Sequence, residues 1–322
     1  MTYSVGGLIQ ATDYNGFAND TGGANANAIW ATGSTDRGYG QSALGTVAAT
    51  NTVTATQWAS LVNTISSIAS HQGTTITART APTAGNLINI LAALSTDLTN
   101  CTTNRGNAVA NGTQFTGWTG TNSKTATTSG ASWTITFTNT VTFASADAAR
   151  YFFNAGGRIK IDVAKSSTGN TGDPEWNDLA TTLCGDIFIT GGTATQTIAG
   201  ASYTGTTKVG GTGTPTTLTT TTGWYDLTAG AAATIVYKQF ADTAPYTANF
   251  IQHSLAKGAS SNTLVITTLW QNTDSDPITG GTASSGATPG TAPTTIVTYF
   301  PPSSTYLTTA AWGTPTVAAT TA

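Results

Sequence analysis

The 322-residue chain is 39% hydrophobic, enough for a sizeable core, but only 8% charged, against roughly 25% in an average soluble domain. Eleven Lys and Arg against fourteen Asp and Glu leave a net charge of −3 with no basic stripe, which argues against nucleic-acid binding. No run of about 18 apolar residues suggests a membrane-spanning helix, and Met1–Gly7 lacks the basic and apolar regions of a secretory leader.

Threonine, roughly a fifth of the chain, supplies much of the polar surface. It is β-branched and suits a pleated sheet, and an uncharged Thr surface can be buried against another subunit without desolvating a full charge. Permanent assembly is one reading of this composition; a secreted or environmental protein with a Thr-rich β surface is the other. The two cysteines, Cys101 and Cys184, lie far apart and form no CxxC, and are expected to be buried free thiols.

Residues 1–112 are expected to form a helical module. Thr12–Phe17 can open a short helix running toward Trp30, and a Gly-rich stretch, Gly33–Gly45, follows. Thr54 with Gln57 three residues on forms a capping-box pattern. Trp58, Leu61, Val62, Ile65, Ile68 and Ala69 then share one face, and Gly73 is placed to end the helix. A second helix is expected from near Thr83, with Leu87, Ile90, Leu91, Leu94 and Leu98 on one stripe and Cys101 at its end. The two helices should pair antiparallel, with Trp58, Leu61 and Ile65 against Leu87, Leu91 and Leu94.

From residue 113 to 322 the texture is β. Ser132–Phe143 alternates with period two: Trp133, Ile135, Phe137, Val141 and Phe143 on one face, Thr134, Thr136, Thr138, Thr140 and Thr142 on the other. Further strands are expected at 158–163, 187–189, 234–240, 264–270 and 295–300, with short helices at Asp147–Phe153 and Asp173–Cys184. Ser202–Gly223 and residues 279–292 are expected to be Gly/Thr-rich arms, and the segment from about Pro301 extended. The fold class is therefore α+β: an N-terminal helical module with an antiparallel helix pair, then a mainly antiparallel, jelly-roll-like β-sandwich with Gly/Thr-rich arms.

Chemistry is sparse. His71 and His253 have no Cys, Asp or Glu at ligand spacing; His71, at a helix end, suits the helix dipole. Asp173, Glu175 and Asp178 form the richest acidic cluster, explained in part by capping, with calcium as a minor alternative. Asp274 and Asp276 sit in a turn, and Gly210–Gly213 lacks the strand and helix of a phosphate loop. No Walker A, GxSxG or HExxH sequence occurs. The expectation is a protein that is not an enzyme, with no catalytic residue, cofactor or metal. Trp118, Trp224, Tyr225 and Trp312 lie in polar segments and are candidates for exposed interface or sugar-stacking aromatics; packing under a loop is an equal alternative.

Several blocks together carry a resemblance: Ala11–Phe17, Ile29–Gly33, Arg37–Gln41, Thr54–Trp58, His71–Thr74, Ala149–Gly157, Gly223–Thr228, Tyr246–Phe250, Pro301–Leu307 and Trp312–Thr314. They resemble virion structural and tail-fibre-like proteins of marine and cyanobacterial bacteriophages. The resemblance implies an assembling tail, fibre or collar subunit, with capsid decoration protein or host-surface glycan-binding adhesin as alternatives. It implies a symmetric homo-oligomer with other virion proteins as partners, contact with host cell-surface glycan in the adhesin case, no nucleic acid and no membrane insertion. Localisation would be the virion, after synthesis in the host cytoplasm without a signal peptide.

Overall fold

The computed structural model describes residues 10–19, 24–84, 93–122, 132–167, 173–192, 194–230, 232–273, 278–279, 282–283 and 292–322. The chain is mixed α and β. It opens with α1 (Ala11–Asn19) and α2 (Ala26–Trp30), then crosses an irregular stretch to α3 (Ala55–Gln72). The Thr54 hydroxyl accepts from Gln57 N (3.3 Å) while Gln57 Oε1 accepts from Thr54 N (2.8 Å), so the capping box is formed as the spacing predicts. Gly73, at φ 70°, ends the helix in the left-handed conformation.

The second helix differs from expectation. Thr83 is not helical, and α4 spans Leu94–Thr103. Ala93, immediately before α4, sits at φ 58° in the left-handed region, so α4 begins at Leu94. Leu87, Ile90 and Leu91 lie outside the described residues. Trp58, Leu61, Val62 and Ile65 of α3 join Leu94 and Leu98 of α4, with Tyr14 and Phe17 of α1, in a small apolar core.

The strands are β1 (Phe115–Thr121), β2 (Trp133–Thr142), β3 (Arg158–Ala164), β4 (Asp186–Ile189), β5 (Gln196–Ile198), β6 (Ala201–Tyr203), β7 (Thr206–Val209), β8 (Thr217–Leu218), β9 (Thr234–Phe240), β10 (Phe250–Lys257), β11 (Thr263–Asn272), β12 (Ile278–Thr279), β13 (Thr282–Ala283), β14 (Thr294–Phe300) and β15 (Thr316–Thr321). Two antiparallel sheets result, one ordered β1-β14-β3-β4-β7 and the other β15-β2-β11-β10-β9-β8. Within them β8–β9–β10–β11 run as a meander, each strand pairing with the next, while β4 pairs with β7 across the separate β5–β6 hairpin. Ser202–Gly223 is thus not a free arm: it contributes to β6 and supplies β7 and β8. Of the second expected arm, β12 and β13 pair as a hairpin, and the rest of 279–291 lies outside the described residues.

Helix α5 (Ala146–Asn154) follows β2, capped by Ser145, whose hydroxyl accepts from Ala148 N. Helix α6 (Asp173–Asp178) continues as a π-helix over Leu179–Cys184. The alternation that defines β2 places Ile135, Phe137 and Val141 in the main core with Ile159, Ile161 and Val163 of β3 and Leu264, Ile266 and Trp270 of β11. Both sheets therefore feed one apolar layer, and Trp270 Nε1 donates to Thr295 Oγ1 of β14 (3.4 Å) across it. Each such large side chain contributes roughly 1.5–3 kcal/mol on burial. Ile29, Tyr39, Ile68, Ala69 and Cys101 enter this same core from the helical side. Helix α3 thus feeds both cores: its first turns the small one, its last turns the large one.

Candidate functional site

The strand registers define the outer face of the six-stranded sheet. On β2 it shows Thr134, Thr136, Thr138, Thr140 and Thr142; on β11, Thr263, Val265, Thr267, Leu269 and Gln271; on β15, Thr316, Ala318 and Thr320. These side chains are half-buried or exposed, whereas the alternate residues of β2 and β11 are buried. The Thr face expected for β2 is therefore extended by its neighbours into a continuous uncharged surface. Toward the far side Lys238 of β9 joins it, its ammonium lying 3.6 Å from the Phe250 ring centroid and 4.6 Å from that of Phe240. The rings take up part of the cost of that charge.

A second feature lies where the helices meet the sheets. Arg37–Gln41 packs against Arg150–Gly157. The Asn154 amide donates to Gly38 O (3.1 Å) and Thr35 O (3.3 Å), and its oxygen accepts from Tyr225 OH (2.5 Å). Arg150 donates to Arg37 O (2.5 Å). Gly38 and Gly40 stand at φ 96° and 70°, and a Cβ on either would overlap Thr32 O or the Tyr151 ring. Tyr39 OH donates to Arg105 O (2.7 Å) and accepts from Gln72 Nε2 (2.8 Å). These contacts wall a cleft of about 380 Å³ lined by Asp36, Arg105, Asn107, Asn154, Gln196, Tyr225 and Asp226, among others. Arg105 pairs with Asp36 at its rim. Burial pushes the Tyr225 and Tyr39 hydroxyls well above the usual tyrosine range, so both remain protonated donors.

The histidines serve structure. His71 is 1% exposed, and its Nε2 lies 3.0 Å from Ala155 O. A carbonyl only accepts, so His71 carries its proton on Nε2. Burial pulls its pKa down to about 4, partly offset by that bond. His253 stacks on Tyr237 (5.3 Å between ring centroids), its Nδ1 lies 3.0 Å from Thr268 Oγ1, and burial pulls it down to about 3. Neither faces the cleft. Cys101 and Cys184 are buried free thiols with pKa values pushed up to about 12 by burial, which keeps them un-ionised at neutral pH.

The four candidate aromatics do not form one site. Trp224 and Trp312 are 3% and 1% exposed, a correction to the expectation of exposed rings. Trp224 stacks on Phe153 (5.3 Å) beneath Lys257, so its Gly/Thr flanks cover it instead of presenting it. Trp118 is half-buried against Phe137. Tyr225 alone lines the cleft. Trp58, Leu61, Ile65 and Leu94 lie together in the small apolar core. The cleft residues Asp36, Arg105 and Asn107 were not singled out from sequence, since none belongs to a spaced motif. Phe153 and Asn154 of the Ala149–Gly157 segment do line the cleft. No family model, no curated protein and no solved structure matches the chain.

Proposed function

We propose that the chain is a structural subunit of a bacteriophage virion, of tail, fibre or collar type, that assembles with copies of itself and with other virion proteins. The observation that carries this is the outer face of the six-stranded sheet, a broad Thr-rich surface nearly without charge. Such a face can be desolvated against a like surface without stranding a charge, and repetition in a symmetric array follows from self-complementarity. On this reading the two sheets form a sandwich around their shared core, with α3 and α4 as a helix pair at one side. No described helix is long and apolar enough to cross a membrane.

Sedimentation across a wide concentration range tests the proposal. Concentration-dependent oligomers that are abolished by Thr138→Lys together with Thr142→Lys, two like charges on the same face, support it. A monomer at high concentration that also fails to associate with particles overturns it. Antibody labelling of intact virions separates tail or fibre placement from capsid decoration.

The cleft favours a second reading, a host-surface glycan-binding adhesin. A tyrosine edged by carboxylates and amides suits the faces and hydroxyls of a sugar. Tyr225→Ala should then abolish adsorption to host cell-wall glycan while leaving assembly intact; unchanged adsorption rejects this reading.

A further inference from the structure

We propose that Glu175, Asp178 and Asp242 form a divalent-cation site suited to Ca2+. Glu175 and Asp178 are three residues apart on α6 and so share a face, while Asp242 follows β9 in the loop leading to β10. One carboxylate oxygen from each lies within 4.8 Å of the others. Three oxygens no more than 4.8 Å apart have a common centre at most about 2.8 Å from each, so a side-chain adjustment of a few tenths of an ångström brings all three within the 2.3–2.6 Å of a Ca2+–oxygen bond.

The independent observation concerns Glu175 itself. It is only 9% exposed, and its Oε1 is closed to solvent with no hydrogen-bond partner among the described residues. A buried carboxylate oxygen is costly to leave unpaired. Burial foremost, with the smaller repulsion of Asp178 and Asp242, disfavours its charged form, and hydrogen bonds from Thr243 offset this only in part. A cation supplies what the orphaned oxygen lacks and cancels the repulsion among the three carboxylates. The donors are all oxygens, which selects a hard ion over zinc or copper. Asp242 is exposed and Asp178 half-buried, giving the ion a way in from solvent.

The sequence pattern pointed only to the local cluster Asp173, Glu175 and Asp178. The fold supplies Asp242 from 64 positions beyond Asp178, so the site would staple α6 to the β9–β10 loop. Its neighbour Trp176 packs between Trp133 and Trp270, at 4.9 and 5.8 Å between ring centroids, and offers a built-in optical reporter.

The test uses the full chain and Tb3+ as a luminescent Ca2+ analogue excited through tryptophan, with Ca2+ and Mg2+ as competitors. The expected result is saturable one-site binding displaced by Ca2+, with an affinity near or tighter than the roughly 10⁻⁴–10⁻³ M of extracellular calcium modules. Glu175→Gln and Asp242→Asn should each weaken it by more than the roughly 10–100-fold lost with a supporting group. Ca2+ should raise the Tm of the parent chain and leave that of Glu175→Gln unchanged. Circular dichroism of metal-free Glu175→Gln should match the parent, because removing a strained buried carboxylate does not harm the fold. Luminescence that is non-saturable, or equal in parent and variants, or a Ca2+-dependent Tm shift that survives Glu175→Gln, overturns the site. None of these outcomes bears on self-assembly.

Discussion

The helical part and the β part both satisfy buried backbone polar groups with few charges, but by different means. In the sheets the partners are other backbone groups, strand to strand. Between α2 and α3 the chain runs from residue 31 to 54 without helix or strand, and side-chain amides substitute for the missing ladder. Asn15 donates to Val47 O (2.8 Å) and accepts from Val47 N (2.9 Å). Asn27 does the same with Leu44, at 2.9 and 2.8 Å. Gln41 does so with Thr308, at 3.3 and 2.8 Å, tying the loop to the far end of the chain. Each amide mimics one rung of an antiparallel ladder. A ladder tolerates change at any one side chain, because its bonds belong to the backbone; an amide rung is lost with a single substitution.

The largest test of this contrast compares two buried tryptophans. Trp270→Ala in the shared core and Trp58→Ala in the small helical core should each cost roughly 3–5 kcal/mol. The first should lower the urea midpoint of the whole molecule. The second should deprotect α1, α3 and α4 in hydrogen exchange ahead of the sheets. Simultaneous loss of protection everywhere in Trp58→Ala would mean that the two parts are one cooperative unit.

Acid comes next. His71 and His253 are held neutral in the fold, with pKa values lowered from 6.5 to about 4 and about 3. Below pH 6.5 the unfolded chain binds more protons than the native one, so their contribution is full above 6.5. It is lost as pH falls through that value toward 4 for His71 and toward 3 for His253. Each is worth on the order of 3 kcal/mol. Urea midpoints measured from pH 7 to 4 should fall steadily, and a flat profile would show that the imidazoles are not buried neutral.

Asn27→Ala should cost about 1–3 kcal/mol, since it removes two bonds and leaves Leu44 N and O without their partner. The effect should appear as faster amide exchange around Leu44, with the sheets unchanged. Smallest of all, Thr138→Ala on the outer sheet face should shift monomer stability by within about 0.5 kcal/mol, since its backbone pairing with Thr320 of β15 does not depend on the side chain.

What could be read in advance follows the same division. Helix α3 was legible to the residue, because its cap, face and terminator are local. Strand β2 was legible because Trp133–Val141 alternates against threonine. β7 and β8 were not: Thr206–Val209 and Thr217–Leu218 have Gly/Thr flanks that carry no period, and only the neighbouring strands give them a register. The left-handed Ala93 at the start of α4 carries no mark in the leucine stripe around it. Trp224 and Trp312 looked exposed because their polar neighbours say nothing about distant rings, and Asp242 could not be joined to Glu175 without the fold.

Helix α3 has a mechanical consequence. Its 18 residues span about 27 Å, from Trp58 in the small core to His71 against Ala155. A pull applied to the amino-terminal helices would travel along this strut and arrive at the His71–Ala155 contact as shear, with little slack to absorb it. Forced-unfolding traces should then show the sheets bearing load almost as soon as the first helices are stretched.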